Sequence, residues 1–256
     1  MFDSSLIPAV PQPVVFVGAG PGAAEHLTLG ALRALQAAEV VIHDRLVGAE
    51  VLALIPENTR RIDMGKEGFG PSAAQTDINA VLVAQALTGA RVVRLKGGDC
   101  GIFGRLDEEV EALEAAGLPF RIQPGLTSAS VAAAQIGQSL TKRGRNAALR
   151  IVTGHDMQGF AEQDWRGLAR AGEVAAIYMG KKSARFIQGR LMMHGADGAT
   201  PVTVVENVSR ADQRVIGCQL STLPSAIAAV DGPAVILYGL APRAAAVAIP
   251  VLEARA

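Results

Sequence analysis

The chain has 256 residues, half of them apolar, which is enough for one large or two ordinary domains with a sizeable core. Its 24 lysines and arginines balance 24 aspartates and glutamates, so no global field favours nucleic acid or an acidic membrane surface. Two cysteines make no disulfide framework, four histidines show no metal-ligand spacing, and no apolar run approaches the roughly 18 residues of a membrane span. We therefore expect a reduced, cytoplasmic globular protein with no bound metal.

The first half of the chain alternates strand and helix patterns. Short apolar runs rich in β-branched residues predict strands at 14–17, at 40–43 and from residue 92 to the glycines at 97–98. Two further strands are predicted at 60–63 and 120–123. Apolar residues at helical spacing predict helices at 27–37, 49–54, 107–116 and after residue 128, and a long helix that Ser72 caps and that reaches about Thr88. This alternation indicates βαβ units and a parallel sheet.

Three of these strands run directly into glycine-containing loops. The loops are Gly-Ala-Gly-Pro-Gly at 18–22, Gly-Gly-Asp at 97–99 and Pro-Gly-Leu-Thr-Ser at 124–128. A glycine backbone can take positive φ and let a ligand lie against it, while Asp99 can hold backbone donors or meet a cation. In an open α/β sheet such junctions gather outside the carboxyl ends of the strands, where ligands bind.

The first loop also fits another class of protein. Gly18, Gly20 and Ala23 satisfy the spacing of the dinucleotide fingerprint, and Asp44 falls at the end of the second strand, where a ribose-binding acid would lie. A Rossmann-type NAD or FAD oxidoreductase is therefore one interpretation. Pro21 argues against it, because proline removes a backbone N–H from the loop that would hold the pyrophosphate.

The second half begins after a polar segment, 138–146, that fits a linker. Strands are predicted at 148–153, 174–179, 201–206, 213–220 and 234–238, with helices at 160–170, 183–194 and 223–230. The hairpin-like gap at 209–212 indicates a mixed sheet. The predicted organisation is an N-terminal tail (1–12), an α/β domain (13–137), the linker (138–146), a second α/β domain (147–243) and a C-terminal tail (244–256).

Further motifs follow one another in a fixed order along the chain. They are Gly-Ala-Gly-Pro-Gly at 18–22, His-Asp-Arg-Leu-Val at 43–47, Gly-Lys at 65–66, Val-Arg-Leu-Lys-Gly-Gly-Asp at 93–99, Ile-Phe-Gly-Arg at 102–105, Pro-Gly-Leu-Thr-Ser at 124–128, Val-Thr-Gly-His at 152–155, Tyr-Met-Gly at 178–180 and Glu-Asn at 206–207. This set spans roughly residues 14–243 and resembles the tetrapyrrole methylase family. Within the family it is most similar to the uroporphyrinogen III C-methyltransferases.

The resemblance implies a fold, a cofactor and a set of contacts. The fold is class III methyltransferase-like: two α/β domains, the N-terminal one with a parallel open sheet and the C-terminal one with a mixed sheet, and the active site in the cleft between them. The protein would be a homodimer that uses S-adenosyl-L-methionine and releases S-adenosyl-L-homocysteine. The family pattern places nine residues at the methyl donor: Pro21, Gly97, Gly98, Asp99, Ile102, Thr127, Ser128, Met179 and Val208. A bulky side chain at Gly97 or Gly98 is expected to occupy space that the donor needs.

The implied reaction is C-methylation of uroporphyrinogen III to precorrin-2, by way of precorrin-1, in sirohaem or cobalamin biosynthesis. An electron-rich pyrrole carbon can attack the sulfonium methyl directly, so catalysis needs positioning and management of protons. In the family the proposed proton acceptor and donor stand at Asp44 and Lys66 of this sequence. The substrate carboxylates need cationic partners, and the candidates by position are Arg45, Arg105, Lys142 and Arg143.

The chain departs from the family pattern at Glu67, at Cys100-Gly101 and at Leu106-Asp107. Because these departures lie nearer the tetrapyrrole side than the cofactor side, a later precorrin C-methyltransferase, such as the precorrin-3B C17-methyltransferase, is an alternative. A tetrapyrrole carrier without catalysis is another. Neither a nucleic acid nor a membrane is an expected partner.

Overall fold

The computed structural model describes residues 12–65 and 74–244, and it divides between residues 127 and 128 into two compact units. Each unit is built on a five-stranded sheet. The helix that begins at Ser128 belongs to the second unit. The domain boundary at residue 137 and the linker at 138–146 stay predictions, as do both tails.

The first unit has an all-parallel sheet. Its strands are β1 (Val14–Gly18), β2 (Val40–His43), β3 (Arg60–Asp63), β4 (Val92–Lys96) and β5 (Phe120–Gln123), in the order β3-β2-β4-β1-β5. All four pairings are parallel. The carboxyl ends of all five strands therefore meet at one edge, which confirms the predicted parallel open sheet.

The strand order rules out the dinucleotide-binding interpretation. In that fold the first strand pairs with the second and fourth, in the order 3-2-1-4-5-6. Here β4 lies between β2 and β1, so the first two strands are not neighbours. The Rossmann oxidoreductase interpretation is therefore wrong, although the glycine spacing after β1 satisfies its fingerprint.

Helices cover both faces of this sheet. They are α1 (Leu29–Ala37), α2 (Ala49–Ala53), α3 (Gln75–Leu87) and α4 (Leu106–Ala115). Val93 and Leu95 of β4 pack in the core with α1 and α2, whereas Val92 packs with α3 and α4. Because successive residues of a strand point to opposite faces, Arg94 and Lys96 share the α3 and α4 face with Val92. Ser72, the predicted cap of α3, lies outside the described residues; the helix begins after Ala74, which makes no capping side-chain hydrogen bond.

The second unit has the predicted mixed sheet. Its strands are β6 (Arg150–Thr153), β7 (His155–Asp156), β8 (Gly159–Phe160), β9 (Ala175–Tyr178), β10 (Pro201–Glu206), β11 (Arg214–Gln219) and β12 (Ala234–Tyr238). The sheet order is β11-β10-β12-β9-β6, with β7 and β8 forming a separate hairpin. Only β6 and β9 pair in parallel. It follows that β6, β9 and β10 run in one direction and that their carboxyl ends share an edge.

The helices of the second unit are α5 (Ser128–Gln135), α6 (Trp165–Leu168), α7 (Ala184–Met193) and α8 (Leu223–Ile227). The helix predicted for 160–170 is wrong at its start, and α6 has a single turn. Phe160 instead lies in the β7–β8 hairpin and stacks on Phe186, with the ring centroids 5.0 Å apart. Asp164 then begins the helix by accepting a hydrogen bond from the Gly167 N–H at 2.9 Å. Across residues 12–65 and 74–244, no helix has the length and apolar character needed to cross a membrane.

Candidate functional site

The loops after β1 and β4 are joined through their backbones. The Gly20 N–H donates to the Gly98 carbonyl at 3.1 Å, and the Gly98 N–H donates to the Gly20 carbonyl at 2.7 Å. Both glycines have positive φ, 70° and 73°. Residues with a Cβ rarely adopt this conformation, so the paired loops require glycine at both positions. Pro21 follows directly and is buried.

The loop after β5 packs against these two. A Cβ on Gly18 would lie 2.5 Å from the Gly125 nitrogen, so the two backbones touch. Asp99 connects the loops: its Oδ2 accepts from the Gly125 N–H at 2.9 Å and its Oδ1 accepts from the Gly101 N–H at 2.8 Å. The Asp99 carboxylate thus holds backbone donors, the first of the two roles expected for it.

Gly97 and Gly98 face different surroundings. A Cβ on Gly97 would lie 2.7 Å from the Leu46 Cβ, so this glycine is required by the close approach of the loop after β2. A Cβ on Gly98 would meet no described protein atom within 4 Å. Open space beside a backbone turn is what a bound ligand needs. A side chain at Gly97 would collide with Leu46 and disturb the fold, so the expectation that it would intrude on ligand space stays a prediction.

Asp44 and Arg45 follow β2 at the same edge of the sheet. The Asp44 side chain is 29% exposed, and its Oδ1 accepts a hydrogen bond from the Leu46 N–H at 3.0 Å. Arg45 is exposed. Lys66, the predicted proton donor, lies outside the described residues, so its partnership with Asp44 stays a prediction.

A cluster of buried charges lies behind Asp44, between β4 and α4. Glu109 accepts hydrogen bonds from Arg94 Nε at 3.0 Å, Arg94 Nη2 at 3.1 Å and Lys96 Nζ at 2.7 Å. Arg94 and Lys96 are 2% and 4% exposed, and Glu109 is fully buried. None of these three residues was a predicted site residue. The signal for this cluster was two cations at alternate positions of an otherwise apolar strand, which places them on one face.

Burial changes the chemistry of two groups near this cluster. It lowers the pKa of Lys96, the Arg94 guanidinium lowers it further, and Glu109 opposes both effects. Burial also raises the pKa of the Cys100 thiol to about 12. Cys100 packs in the core beside α3 and α4, so this departure from the family pattern places a neutral thiol inside the unit.

Arg105 stands at the start of α4 in a left-handed conformation, with φ 53°. Its guanidinium binds Glu108 with both arms, through Nε at 2.7 Å and Nη2 at 2.6 Å. The hydrogen bond from Arg105 lowers the pKa of Glu108. Both side chains are about half exposed. Earlier in the loop, the Ile102 N–H donates to the Asp99 carbonyl at 3.3 Å.

In the second unit, two of the residues predicted to contact the methyl donor lie after β9 and β10, at one edge of the sheet. Met179 has φ 51° and is half exposed, whereas Val208 is buried in the core beside α5. Val208 stands between two further left-handed residues, Asn207 and Ser209. A hydrogen bond of 3.0 Å from the Ala129 N–H to the Tyr178 hydroxyl ties the start of α5 to the end of β9.

The remaining two candidate cations, Lys142 and Arg143, are exposed in an irregular segment of the second unit. Asn146 organises this segment: it accepts from the Lys142 N–H at 3.2 Å and donates to the Leu140 and Ala148 carbonyls at 2.9 and 2.7 Å. Because Arg45 and Arg105 belong to the first unit, binding of one substrate by all four cations stays a prediction. Within the described part of the chain, no group of three or more His, Cys, Asp or Glu could hold a metal ion.

Comparison with known sequences identifies the family. The profile of the Tetrapyrrole (Corrin/Porphyrin) Methylases matches residues 13–224. The chain belongs to the tetrapyrrole methylase family. This confirms the resemblance seen in the motifs, and the methylase match covers most of both units.

Solved structures of this methylase family agree with the fold. A uroporphyrin III C-methyl transferase from Thermus thermophilus is 34% identical, with a TM-score of 0.76 over 89% of this chain and 92% of its own. A structure of the Thermus enzyme complexed with S-adenyl homocysteine is 35% identical, with a TM-score of 0.76 over 89% of this chain and 97% of its own. A cobalt precorrin-4 methyltransferase, at 23% identity and a TM-score of 0.79, shares the fold. The predicted class III methyltransferase-like architecture is confirmed.

Curated relatives of the methylase are longer proteins. Siroheme synthase 1 of Aeromonas hydrophila is 45% identical over 226 residues, which are 88% of this chain and 49% of the relative. The siroheme synthase of Methylococcus capsulatus is 44% identical over 229 residues, 88% of this chain and 48% of the relative. The chain therefore spans about half the length of the curated relatives it matches.

Proposed function

We propose that this methylase transfers methyl groups from S-adenosyl-L-methionine to carbon atoms of uroporphyrinogen III and forms precorrin-2 by way of precorrin-1. The observation that carries the proposal is its 34–35% identity to Thermus uroporphyrin III C-methyl transferase over 92–97% of that enzyme's length. A later precorrin methylase is a weaker candidate, because the cobalt precorrin-4 enzyme is only 23% identical.

The first unit fits the methyl donor. The Gly98 backbone, at positive φ, borders space free of described protein atoms within 4 Å of its missing side chain. Asp99 accepts one hydrogen bond from the Gly125 N–H, which holds this loop to the loop after β5, and another from the Gly101 N–H within its own loop. The residues that would contact the donor are those of the family pattern: Pro21, Gly97, Gly98, Asp99, Ile102, Thr127, Ser128, Met179 and Val208. In this arrangement Asp99 acts by shaping the loop, and Val208 acts through its backbone because its side chain is in the core.

Bound S-adenosylmethionine would supply an electrophilic methyl group: its C–S bond breaks, a C–C bond forms to the pyrrole carbon, and sulfur keeps the bonding electron pair as S-adenosylhomocysteine leaves. The donor is a sulfonium cation and its product is neutral, so each transfer leaves one proton for the protein to remove. We assign that proton to Asp44, whose carboxylate is partly exposed at the carboxyl end of β2. Lys66 is the proposed donor of a proton elsewhere on the substrate.

Guanidinium and ammonium groups would bind the substrate carboxylates. Arg45 and Arg105 from the first unit and Lys142 and Arg143 from the second are the proposed partners. Arg105 would exchange Glu108 for a substrate carboxylate, and both groups are exposed enough for that exchange. We further propose that the protein is a cytoplasmic homodimer and that its product feeds sirohaem or cobalamin synthesis.

The proposal is tested by anaerobic incubation with S-adenosylmethionine and uroporphyrinogen III, followed by mass spectrometry of the tetrapyrrole. Two added methyl groups are expected. Binding of uroporphyrinogen without any methylation would indicate a carrier instead. Methylation of a later precorrin in preference to uroporphyrinogen III would assign the protein to another step of the pathway.

A further inference from the structure

The Arg94 guanidinium is fixed on every side. Its Nε and Nη2 bind the two oxygens of Glu109, and Nη1 donates to the Leu95 carbonyl at 3.2 Å and the Ile42 carbonyl at 3.5 Å. A planar group with donors engaged in three directions cannot rotate without breaking several hydrogen bonds. Buried at 2% exposure, it has no solvent to replace them.

The same guanidinium also faces the proposed proton acceptor. Arg94 Nη2 lies 3.8 Å from Asp44 Oδ2, while Asp44 Oδ1 accepts the Leu46 N–H at 3.0 Å. Each carboxylate oxygen therefore has its own partner. In the described ranges 12–65 and 74–244, Arg94 is the one cation within 4 Å of this carboxylate. Together the two partners set the plane in which the carboxylate faces solvent.

Asp44 also contributes to the charge balance of the buried cluster of Arg94, Lys96 and Glu109. Arg94 and Lys96 share one fully buried carboxylate, Glu109, which accepts a further hydrogen bond from Gln75 at 3.3 Å. Two cations against one anion leave a positive charge in excess, and an uncompensated charge inside a protein is costly. The carboxylate of Asp44 balances it. Apolar side chains of similar volume often stabilise a fold at least as well as such a cluster, so stability alone gives little reason for its presence.

We propose that Arg94, held by Glu109, is a positioning residue that fixes the carboxylate of Asp44 for proton removal. The inference rests on the proposed function, because it takes Asp44 as the proton acceptor. Arg94 itself is buried and does not touch the substrate. Its contribution passes through Asp44, and this makes the two residues energetically coupled.

The test is a double-mutant cycle with Arg94→Gln, Asp44→Asn and the double variant. Single-turnover methylation of uroporphyrinogen III is measured with both reactants saturating, and S-adenosylhomocysteine binding is measured by calorimetry. Arg94→Gln is expected to lower the rate about tenfold to a hundredfold through misplacement of the carboxylate, with binding unchanged. In the Asp44→Asn background the same substitution should change the rate less than about twofold. An equal loss in both backgrounds would overturn the proposal.

Lys96→Met is the matched control, because it removes a cation from the same cluster but leaves the contact between Arg94 and Asp44. Because Lys96 does not hold the Asp44 carboxylate, any rate loss that Lys96→Met causes should depend on the residue at position 44 less than the loss caused by Arg94→Gln does. If Arg94→Gln does not fold, Arg94→Lys takes its place, since it keeps the buried charge and loses the planar fork.

A crystal structure gives a readout that does not depend on activity. The Asp44 carboxylate should turn away from its present orientation in Arg94→Gln and keep it in Lys96→Met. An unchanged carboxylate in Arg94→Gln would refute positioning. If the wild-type protein does not methylate uroporphyrinogen III, the proposed function fails, and the crystal structures still decide whether Arg94 orients Asp44.

Discussion

The two units differ in how many of their strands end at the edge of the sheet where the candidate site residues lie. This difference follows from the directions of the strands in each sheet. The parallel sheet of the first unit brings five carboxyl ends to one edge. There the loops after β1 and β4 are joined by backbone hydrogen bonds, and the Asp99 carboxylate holds the loop after β5 to them. The mixed sheet of the second unit brings only β6, β9 and β10 to a common edge. The first unit can therefore build a rigid backbone cradle, whereas the second contributes single residues such as Met179.

The units also differ in how they hold charge. The first buries Arg94, Lys96 and Glu109 together between β4 and α4. In the described part of the second, Glu206 is the one buried charged residue, and pairs such as Arg190 with Glu162, 2.7 Å apart, are more exposed. Buried charges are fixed by many hydrogen bonds, but exposed pairs exchange readily with water. We therefore expect the catalytic chemistry to belong to the first unit and the second unit to assist binding.

The largest expected effect concerns Asp44. Asp44→Asn should lower single-turnover methylation by about 10²–10⁴, the range typical of acid–base groups, while both reactants still bind. Rapid-quench kinetics with saturating S-adenosylmethionine and uroporphyrinogen III measure the rate, and calorimetry measures binding. A variant that turns over at nearly the wild-type rate would remove Asp44 from the mechanism.

The difference in buried charge predicts a large effect on stability. Glu109→Gln leaves two buried cations without their carboxylate and should lower the free energy of unfolding by about 3–5 kcal/mol. The matched variant in the second unit, Glu162→Gln, removes an exposed charge and keeps an acceptor for the Trp165 indole N–H. It should leave the denaturation midpoint nearly unchanged. Similar midpoints for the two variants would contradict the contrast between the units.

Substitutions at the neighbouring Gly97 and Gly98 distinguish a loss of ligand binding from a loss of packing. Gly98→Ala should weaken S-adenosylmethionine binding more than about tenfold and destabilise the fold by only about 1–2 kcal/mol, the cost of a left-handed alanine. Gly97→Ala should instead lower the melting temperature, because its Cβ would collide with Leu46. Calorimetry and thermal melts distinguish the two outcomes. Undiminished binding of S-adenosylmethionine by Gly98→Ala would show that the methyl donor does not occupy the space beside Gly98.

The smallest effects are expected from the exposed cations of each unit. Arg105→Ala and Arg143→Ala should each weaken porphyrinogen binding by about tenfold to a hundredfold, as for loss of a charge-assisted contact, and spare the methyl donor. Binding of each ligand is measured separately by fluorescence or calorimetry. An effect of Arg105→Ala alone would restrict substrate recognition to the first unit, and equal losses for both ligands would point to misfolding.

Much of the fold follows from local patterns in the sequence. The five strands of the first unit are predicted within a residue, three of them from runs of β-branched residues, and the hairpin-like gap predicts the mixed second sheet. The order of the strands is not a local property, so nothing in the sequence shows that β4 enters between β2 and β1. The helix predicted from residue 160 fails for a similar reason, because stacking of Phe160 on Phe186 involves a distant partner.

The parts of the site that depend on local backbone conformation and backbone hydrogen bonds could be predicted from the sequence. Positive φ at Gly20 and Gly98 and the backbone donors on Asp99 match what these residue types favour. The packing role of Gly97 depends on Leu46, which lies far away in the sequence, and was missed. The two cations of the apolar strand β4 were a signal, but Glu109 alone resembles an ordinary surface charge of a helix, and only the fold buries it against Arg94.

The most direct test of the central claim follows the methyl group itself. The protein is incubated anaerobically with uroporphyrinogen III and S-adenosylmethionine that carries a trideuterated methyl group, and the tetrapyrrole product is analysed by mass spectrometry. Direct displacement predicts two intact trideuteromethyl groups in each product molecule and two molecules of S-adenosylhomocysteine released with it. A tetrapyrrole without label, or one whose new methyl groups have lost deuterium, would contradict the account.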